Sequence, residues 1–473
     1  MQGTVSLDAR ARKERLTWRA LVRILAEPTL AEWGLAGLSA ALVIFSFPDF
    51  NLWPLAWVAL VPLSAAVVRR EPRGRRAFLL GWAAGTVFFY GSCYWLTHAM
   101  VHYGRLPPWV AYPLLVPGAM VVGLLPGLWS FALARLYARY GAGGAFLVAP
   151  FAWAALEWAR LGVTGQLWNA IGYAQAYVPI LIQPARWGGV YTVGFLTVAV
   201  NAAVAYVVLK RSARALVITV AVVACVALTI ALSVTSGFHT DEASPEASAV
   251  VIAVQPNVAA NFSRSAAETA ELVNRHLTLS AGALREWDAA HGPSGDSTLR
   301  VKDAARGGGV QGEVVSPAPA EKLARVVIWP ESPMNFTYAQ DARFRELVTR
   351  FAREHRTSVL FNSLEPAPGG GVYNSAVMVD AQGRFVGQYD KIRLLPFGEY
   401  VPLPRWFPPA WLVSGIVGEF TPGAKYTLLP IGTGETRAGV FICFESAFPS
   451  IARTFTDGGA DVLVNISNDG YLG

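Results

Sequence analysis

Charged side chains are scarce in this chain. Only 15% of its 473 residues are Asp, Glu, Lys or Arg, whereas 53% are hydrophobic and the mean hydropathy is +0.38. A soluble protein carries about a quarter charged residues, so this composition excludes a wholly soluble protein. The stretch that is poor in charged residues lies almost entirely before about residue 236. We therefore expect a membrane part followed by a water-exposed part.

The membrane part contains apolar runs that are each close to the roughly 20 residues needed to cross a bilayer. Seven such runs precede residue 236, at 29–47, 52–68, 77–99, 108–134, 144–159, 187–208 and 215–235. A basic arm precedes them over 1–28, and a short polar linker follows over 237–247. The pattern predicts a transmembrane domain of about seven helices over 29–236.

Basic residues alternate between the connections of these runs. They cluster in the N-terminal arm and after the second, fourth and sixth runs, while the other connections hold little beyond Arg105, Arg160 and Arg186. Basic loops stay on the cytoplasmic side of a membrane, so the pattern predicts a cytoplasmic N-terminus and an extracytoplasmic C-terminal half. Because this rule accounts for the net charge of +7, the charge gives no argument for a nucleic-acid partner.

Cysteine is rare as well. Of the three cysteines, Cys93 and Cys225 fall in apolar runs, which leaves Cys443 alone in the extracytoplasmic half. Proteins in that oxidising compartment usually pair their cysteines, so a single thiol is either buried and inert or kept for its reactivity. Cys443 directly follows the apolar run 439–442, as expected of a nucleophile at the end of a buried strand.

The C-terminal half has the pattern of an α/β domain over 248–473. Apolar runs such as 249–254 predict strands buried on both faces, and helical spacing follows them at 266–288 and at about 340–355. Alternating strands and helices predict a layered α/β sandwich. Residues 290–320 are rich in Gly, Ser, Ala and Pro without periodicity, and we expect a disordered insertion there.

Two other reactive side chains follow strand-like runs, as Cys443 does. A thiol attacks a carbonyl as a thiolate and needs a base to take its proton; Glu331 fits this role if burial raises its pKa. Lys391, with backbone N–H groups after Cys443, would stabilise the oxyanion. Each residue alone also fits a structural role, as a core thiol, a helix cap or a surface ion pair of Lys391 with Asp390.

Histidine is the usual partner of a catalytic cysteine, but it is scarce where it would be needed. From residue 321 onward the chain contains only His355, in the middle of a predicted helix. We therefore favour a Glu–Lys–Cys arrangement over a Cys–His pair. We expect neither a metal nor a cofactor.

The phrases around Glu331, Lys391 and Cys443 resemble the triad-bearing motifs of the nitrilase, or carbon–nitrogen hydrolase, superfamily. That resemblance implies an αββα sandwich. The membrane half narrows it to the apolipoprotein N-acyltransferase family. The matching phrases are Phe-Ser-Phe-Pro at 45–48, Trp-Pro-Leu-Ala at 53–56, Glu-Trp at 157–158 and Pro-Phe-Gly-Glu-Tyr-Val-Pro at 396–402.

The resemblance implies an acyltransferase with Glu331 as general base, Lys391 as the oxyanion-stabilising cation and Cys443 as nucleophile. Glu399, Glu445 and Phe444 are then supporting residues. The acyl chain would pass from a membrane phospholipid to Cys443, and from there to the N-terminal amine of a diacylglyceryl apolipoprotein. We accordingly expect a monomeric, multi-pass protein of the bacterial inner membrane with a periplasmic catalytic domain.

Alternatives remain at this point. A membrane-tethered amidase would use water as the acceptor, and an inactive relative would transfer nothing. A transporter with an inactive exterior domain would need ionisable residues inside its spans, and the apolar runs hold almost none.

The chain departs from the family pattern in two places. Phe444 stands where tyrosine usually follows the nucleophile, and the closing phrase is Gly-Tyr-Leu-Gly at 470–473 instead of Ala-Trp-Phe-Gly. The resemblance also implies further strands and an eighth membrane helix. The chain is therefore expected to be truncated at its C-terminus.

Overall fold

The computed structural model describes residues 27–48, 50–102, 106–165, 167–235, 249–258, 264–291, 323–331, 336–396, 398–400, 420–431, 436–468 and 470. The polypeptide divides into two compact units. Met1–Thr97 and Leu106–His239 form the first unit, and His98–Arg105 and Thr240–Gly473 form the second. The predicted linker and nearly all of the basic arm and the insertion lie outside the described residues. The domain limits therefore stay predictions.

Helices coincide with all of the predicted apolar runs. The described α-helices before residue 236 are Leu30–Ser46, Val61–Val68, Gly74–Ser92, Leu96–His102, Pro108–Thr164, Pro179–Ile182, Ala185–Gly188, Val190–Lys210 and Ala213–Thr235, with 3-10 helices at Trp53–Trp57 and Ile171–Gln175. The run 52–68 is split in two. Each part, Trp53–Trp57 and Val61–Val68, has a proline as its second residue, and a proline cannot continue a preceding helix.

In the described part of the chain, three helices are long and apolar enough to cross a membrane: Pro108–Val163, Val190–Lys210 and Ala213–Thr235. The bent pair Gly74–Ser92 and Leu96–His102 makes a fourth if it forms one span. The longest helix is interrupted at Gly141, whose φ of +67° and ψ of −174° favour glycine. This break separates the predicted spans 108–134 and 144–159. The total of seven spans stays a prediction.

Buried polar side chains tie the helices of the first unit together. The Nδ2 of Asn201 donates to the carbonyl of Ala56 at 2.8 Å, and its Oδ1 accepts from the backbone N–H of Leu60 at 2.7 Å. These bonds satisfy backbone groups that the break in the run 52–68 releases, as a non-aqueous environment requires. Arg76 forms an ion pair with Glu32, and both side chains are almost completely buried.

Two β-sheets form the framework of the second unit. Their strands are β1 (Ala249–Ala253), β2 (Ala324–Ile328), β3 (Ser358–Pro366), β4 (Val372–Val379), β5 (Phe385–Asp390), β6 (Leu428–Ile431), β7 (Thr436–Ile442) and β8 (Val462–Ile466). The first sheet has the order β1-β2-β3-β4-β5, parallel from β1 to β3 and antiparallel from β3 to β5. In the second sheet β6 is antiparallel and β8 parallel to the central strand β7.

Helices pack on both sheets, which also contact each other. Ala266–His291 contacts β1, Ala342–Glu354 contacts β3 and β4, and Pro449–Asp457 contacts β7 and β8. Between the sheets, β4 contacts β7 and β5 contacts β6. The buried core includes Trp329 and Phe361. The predicted αββα sandwich after a set of apolar helices is confirmed.

Candidate active site

Cys443 is the first residue after β7 and begins the 3-10 turn Cys443–Ala447. Its φ is +52°, in the left-handed region that residues other than glycine rarely adopt. Such a conformation costs about 1–3 kcal/mol and is concentrated at functional sites. All three cysteines, which the described residues include, are free thiols. Cys443 is therefore an unpaired thiol held at a strained strand end.

Lys391 directly follows β5, and its side chain is only 1% exposed. Its Nζ lies 2.9 Å from Oε1 of Glu399 and 3.8 Å from Oε1 of Glu331, which follows β2 by three residues. The alternative of a surface pair with Asp390 is wrong. The Oδ1 of Asp390 instead accepts hydrogen bonds from Ser375 and Gln388. Two carboxylates thus lie beside the single buried ammonium of Lys391.

Asn374 on β4 forms hydrogen bonds to the same two carboxylates. It is a site residue that was not predicted from the sequence. Its Nδ2 donates to Oε1 of Glu331 at 3.0 Å and to Oε1 of Glu399 at 2.8 Å. Its backbone carbonyl accepts from the N–H of Lys391 at 2.8 Å. No motif marks this residue in the sequence, because only the pairing of β4 with β5 brings it beside Lys391.

Glu445 accepts hydrogen bonds from backbone and side-chain donors. Its Oε1 accepts from the N–H of Ile392 at 2.7 Å, the N–H of Arg393 at 3.0 Å and the hydroxyl of Tyr389 at 2.8 Å. Its Oε2 accepts from the N–H of Ile442 at 2.9 Å. Glu445 therefore connects the residues after Lys391 to the residue before Cys443.

The electrostatics of the cluster favour a neutral thiol beside a charged lysine. Burial raises the pKa of Cys443 well above its ordinary value, and the charge of Glu331 raises it further, against the opposing effect of Lys391. Burial alone would lower the pKa of Lys391, but the carboxylates of Glu399 and Glu331 outweigh it and raise that pKa. The thiol must therefore give up its proton to a neighbouring base as it attacks. Glu331 and Ser467 are its hydrogen-bonding neighbours.

Phe444 is buried, and its ring meets that of Phe448 edge-on at 5.0 Å between centroids. The guanidinium of Arg393 lies 5.6 Å from the centroid of the Phe448 ring. Phe444 therefore acts as a packing residue next to the thiol. Further along, Oδ1 of Asn468 accepts a local hydrogen bond from the N–H of Gly470 at 3.1 Å, and its Nδ2 donates to the carbonyl of Val258 at 3.1 Å.

Within the second unit, the structure brings together four residues of the predicted site: Glu331, Lys391, Cys443 and Glu399. Glu445 forms hydrogen bonds to backbone groups at the ends of β5 and β7. A thiol, a base and a buried cation in this arrangement are the groups that acyl transfer through a covalent intermediate requires. The roles of these residues stay predictions.

Comparison with known proteins covers both halves of the chain. The model of the apolipoprotein N-acyltransferase N-terminal domain matches residues 39–203, and that of carbon–nitrogen hydrolase matches residues 251–473. The apolipoprotein N-acyltransferase of Geobacter metallireducens is 32% identical over 448 residues, which cover 93% of this chain and 78% of that protein. The chain belongs to the apolipoprotein N-acyltransferase family.

More distant members of the apolipoprotein N-acyltransferase family match over a similar length. The protein of Allorhizobium ampelinum is 27% identical over 469 residues, covering 96% of this chain and 79% of that protein. The protein of Chlorobaculum tepidum is 26% identical over 486 residues, covering 96% and 81%. The family resemblance inferred from the sequence phrases is therefore confirmed.

Proposed function

We propose that this protein transfers an acyl chain from a membrane phospholipid, through a thioester on Cys443, to the N-terminal amine of diacylglyceryl-cysteine apolipoproteins. Membership of the apolipoprotein N-acyltransferase family supports the reaction class. The observation that carries the proposal is the cluster of Cys443, Glu331 and Lys391 at three strand ends of one unit.

In the first half-reaction, Glu331 takes the proton of the Cys443 thiol while the sulfur bonds to the acyl carbonyl carbon. The carbonyl oxygen becomes an oxyanion, which the ammonium of Lys391 stabilises. The tetrahedral intermediate then collapses and the bond from carbon to the glycerol oxygen breaks. Glu331 returns the proton to that oxygen, so lysophospholipid leaves and the thioester remains.

In the second half-reaction, the free amine of the apolipoprotein attacks the thioester carbonyl. Glu331 accepts a proton from the amine nitrogen, and Lys391 again faces the oxyanion. The carbon–sulfur bond breaks and the Cys443 thiolate recovers the proton. The product is an amide at the N-terminus of the acceptor, and the enzyme returns to its starting state.

Glu399 and Glu445 support the proposed catalytic residues Lys391 and Cys443. Glu399 keeps Lys391 charged, because its carboxylate lies 2.9 Å from the ammonium in a buried site. Glu445 fixes the separation of the lysine and the thiol, because it binds the N–H groups of Ile392, Arg393 and Ile442.

The proposed location is the bacterial inner membrane, with the N-terminus in the cytoplasm, the catalytic unit in the periplasm and the protein a monomer. The alternation of basic connections supports this topology. Both proposed substrates are lipid-anchored, and one polypeptide carries both the apolar helices and the catalytic unit. Tethering of enzyme and substrates to one membrane raises their effective concentration.

The experiment that tests the proposal incubates the purified full chain with vesicles that contain phospholipid labelled in its acyl chains and a synthetic diacylated lipopeptide. Label should move to the lipopeptide amine with the wild-type protein and with Cys225→Ala, whose thiol is exposed in the helix Ala213–Thr235. Cys443→Ala should give no product. Release of free fatty acid without N-acylated lipopeptide would replace the proposal with a membrane-tethered hydrolase.

A further inference from the structure

We propose that Asn374 is a positioning residue that holds the Glu331 carboxylate in the orientation that receives the proton of Cys443. This inference rests on the proposed function, because it assumes that Glu331 is the general base. Asn374 is 6% exposed and lies in β4. It touches two of the charged groups of the candidate site, and it cannot itself titrate.

The amide of Asn374 has two N–H groups, and both are used on carboxylates. Nδ2 donates to Oε1 of Glu331 at 3.0 Å and to Oε1 of Glu399 at 2.8 Å. An amide nitrogen has no more hydrogens to offer. The same oxygen of Glu331 lies 3.8 Å from the ammonium of Lys391. Oε1 is thus held by Asn374 and Lys391, which leaves Oε2 of Glu331 to accept the thiol proton.

The orientation of the Asn374 amide is itself fixed. Its Oδ1 accepts a hydrogen bond from Nδ2 of Asn362 on β3 at 2.7 Å, and Asn362 also donates to the carbonyl of Ser375 at 3.0 Å. A flipped amide would place its NH₂ group against the NH₂ group of Asn362. The network therefore sets the NH₂ group toward the carboxylates.

The amide of Asn374 serves two carboxylates at once. Glu331 and Glu399 lie beside the single cation Lys391. Asn374 donates one hydrogen bond to each of them and brings no charge of its own. Without Asn374, Oε1 of Glu331 would lose this donor, and the carboxylate could turn away from the thiol.

The test compares Asn374→Leu and the isosteric Asn374→Asp with Ser375→Ala. Ser375 is the next residue of β4, its side chain points to the opposite face, and its hydroxyl donates to Asp390 at 2.7 Å. The readout is the rate of acyl-enzyme formation on Cys443 from a soluble 4-nitrophenyl ester, measured over a range of ester concentrations so that kcat and KM are obtained separately. This reaction requires neither phospholipid nor lipopeptide.

Asn374→Leu should lower kcat about 10-fold to 100-fold with KM nearly unchanged. Asn374→Asp replaces the NH₂ donor with an oxygen and places a third carboxylate in the cluster, so it should lower kcat at least as far. Ser375→Ala should leave both kcat and KM unchanged. An unchanged kcat in folded Asn374→Asp would overturn the inference, and so would failure of both Asn374 variants to fold, which would indicate a structural role.

Failure of the inference about Asn374 can be distinguished from failure of the proposed function. A wild-type protein that forms the acyl-enzyme but never acylates the lipopeptide would refute the proposed acceptor, and a lower kcat in the Asn374 variants would still support the role of Asn374. A wild-type protein that forms no acyl-enzyme on Cys443 would overturn both.

Discussion

The ammonium of Lys391 lies 2.9 Å from Oε1 of Glu399, closer than its distance of 3.8 Å from Glu331. The lysine proposed to stabilise an oxyanion is therefore already paired in a site where its side chain is 1% exposed. This pairing favours the charged form of the lysine, because the carboxylates of Glu399 and Glu331 raise the pKa of Lys391 against the opposing effect of burial. It also makes the site sensitive to removal of either partner.

Lys391→Met should lower the free energy of unfolding by about 3–5 kcal/mol, because it leaves Glu399 as a buried charge without its cation. The measurement is denaturant unfolding of the purified chain in detergent. The matched control is Lys425→Met, whose side chain is exposed and whose loss should change stability by about 0.5 kcal/mol or less. The double variant Lys391→Met/Glu399→Gln should recover part of the loss. Equal stability of Lys391→Met and Lys425→Met would contradict a structural role for the buried pair.

Glu331→Gln should affect two measurements of Cys443 in opposite directions. Acyl transfer should fall by about 10²–10⁴-fold, because the general base is lost. Alkylation of Cys443 by iodoacetamide should become faster at neutral pH. The reason is that the negative charge of Glu331 contributes to the raised thiol pKa while Lys391 opposes it. With Glu331 neutral, the pKa falls and the thiolate fraction at a given pH rises.

The alkylation profile of Glu331→Gln should thus shift to lower pH by roughly one unit or more. Mass spectrometry of the Cys443 peptide measures it without interference from the other thiols. Glu354→Gln, which changes an exposed acid at the end of the helix Ala342–Glu354, should leave both measurements unchanged. Slower alkylation in Glu331→Gln would show that the carboxylate does not face the thiol.

Glu445→Gln should destabilise the protein more than Tyr389→Phe. The first variant replaces one carboxylate oxygen with an NH₂ group, which cannot accept from the backbone N–H groups that converge there. We expect a loss of about 1.5–3 kcal/mol, the range for hydrogen bonds to a charged group. Tyr389→Phe removes one donor at 2.8 Å and should lose about 0.5–1.5 kcal/mol. Thermal unfolding of the two variants side by side would show the order, and the reverse order would mean that the tyrosine hydroxyl is the main support.

Much of the fold was predictable because the spacing of hydrophobic residues in the sequence indicates helices and strands. Apolar runs marked the helices of the first unit, and the apolar run 249–254 coincides with β1. The break in the run 52–68 was missed, since hydropathy does not register the prolines at its two helix starts. The break at Gly141 follows from a backbone conformation that a glycine permits but does not require.

The site was predictable only as far as residue types reveal chemistry. A lone thiol, a carboxylate and a lysine at strand ends suggested acyl transfer, and folding brings them together. Asn374 gave no signal, because its role depends on strand register and on the amide of Asn362. Glu445 was expected to support the site, but the sequence did not show how: three of its four hydrogen-bond donors are backbone N–H groups. Backbone donors have no residue type, so no sequence pattern reveals them.

The most direct test of the account is the intact mass of the protein after incubation with phospholipid vesicles that contain no acceptor. The account predicts one acyl chain per wild-type molecule, bound through a bond that hydroxylamine cleaves, with the same adduct on Cys225→Ala and none on Cys443→Ala. An adduct that persists in Cys443→Ala, or wild-type protein that transfers acyl chains without ever carrying one, would contradict a thioester on Cys443.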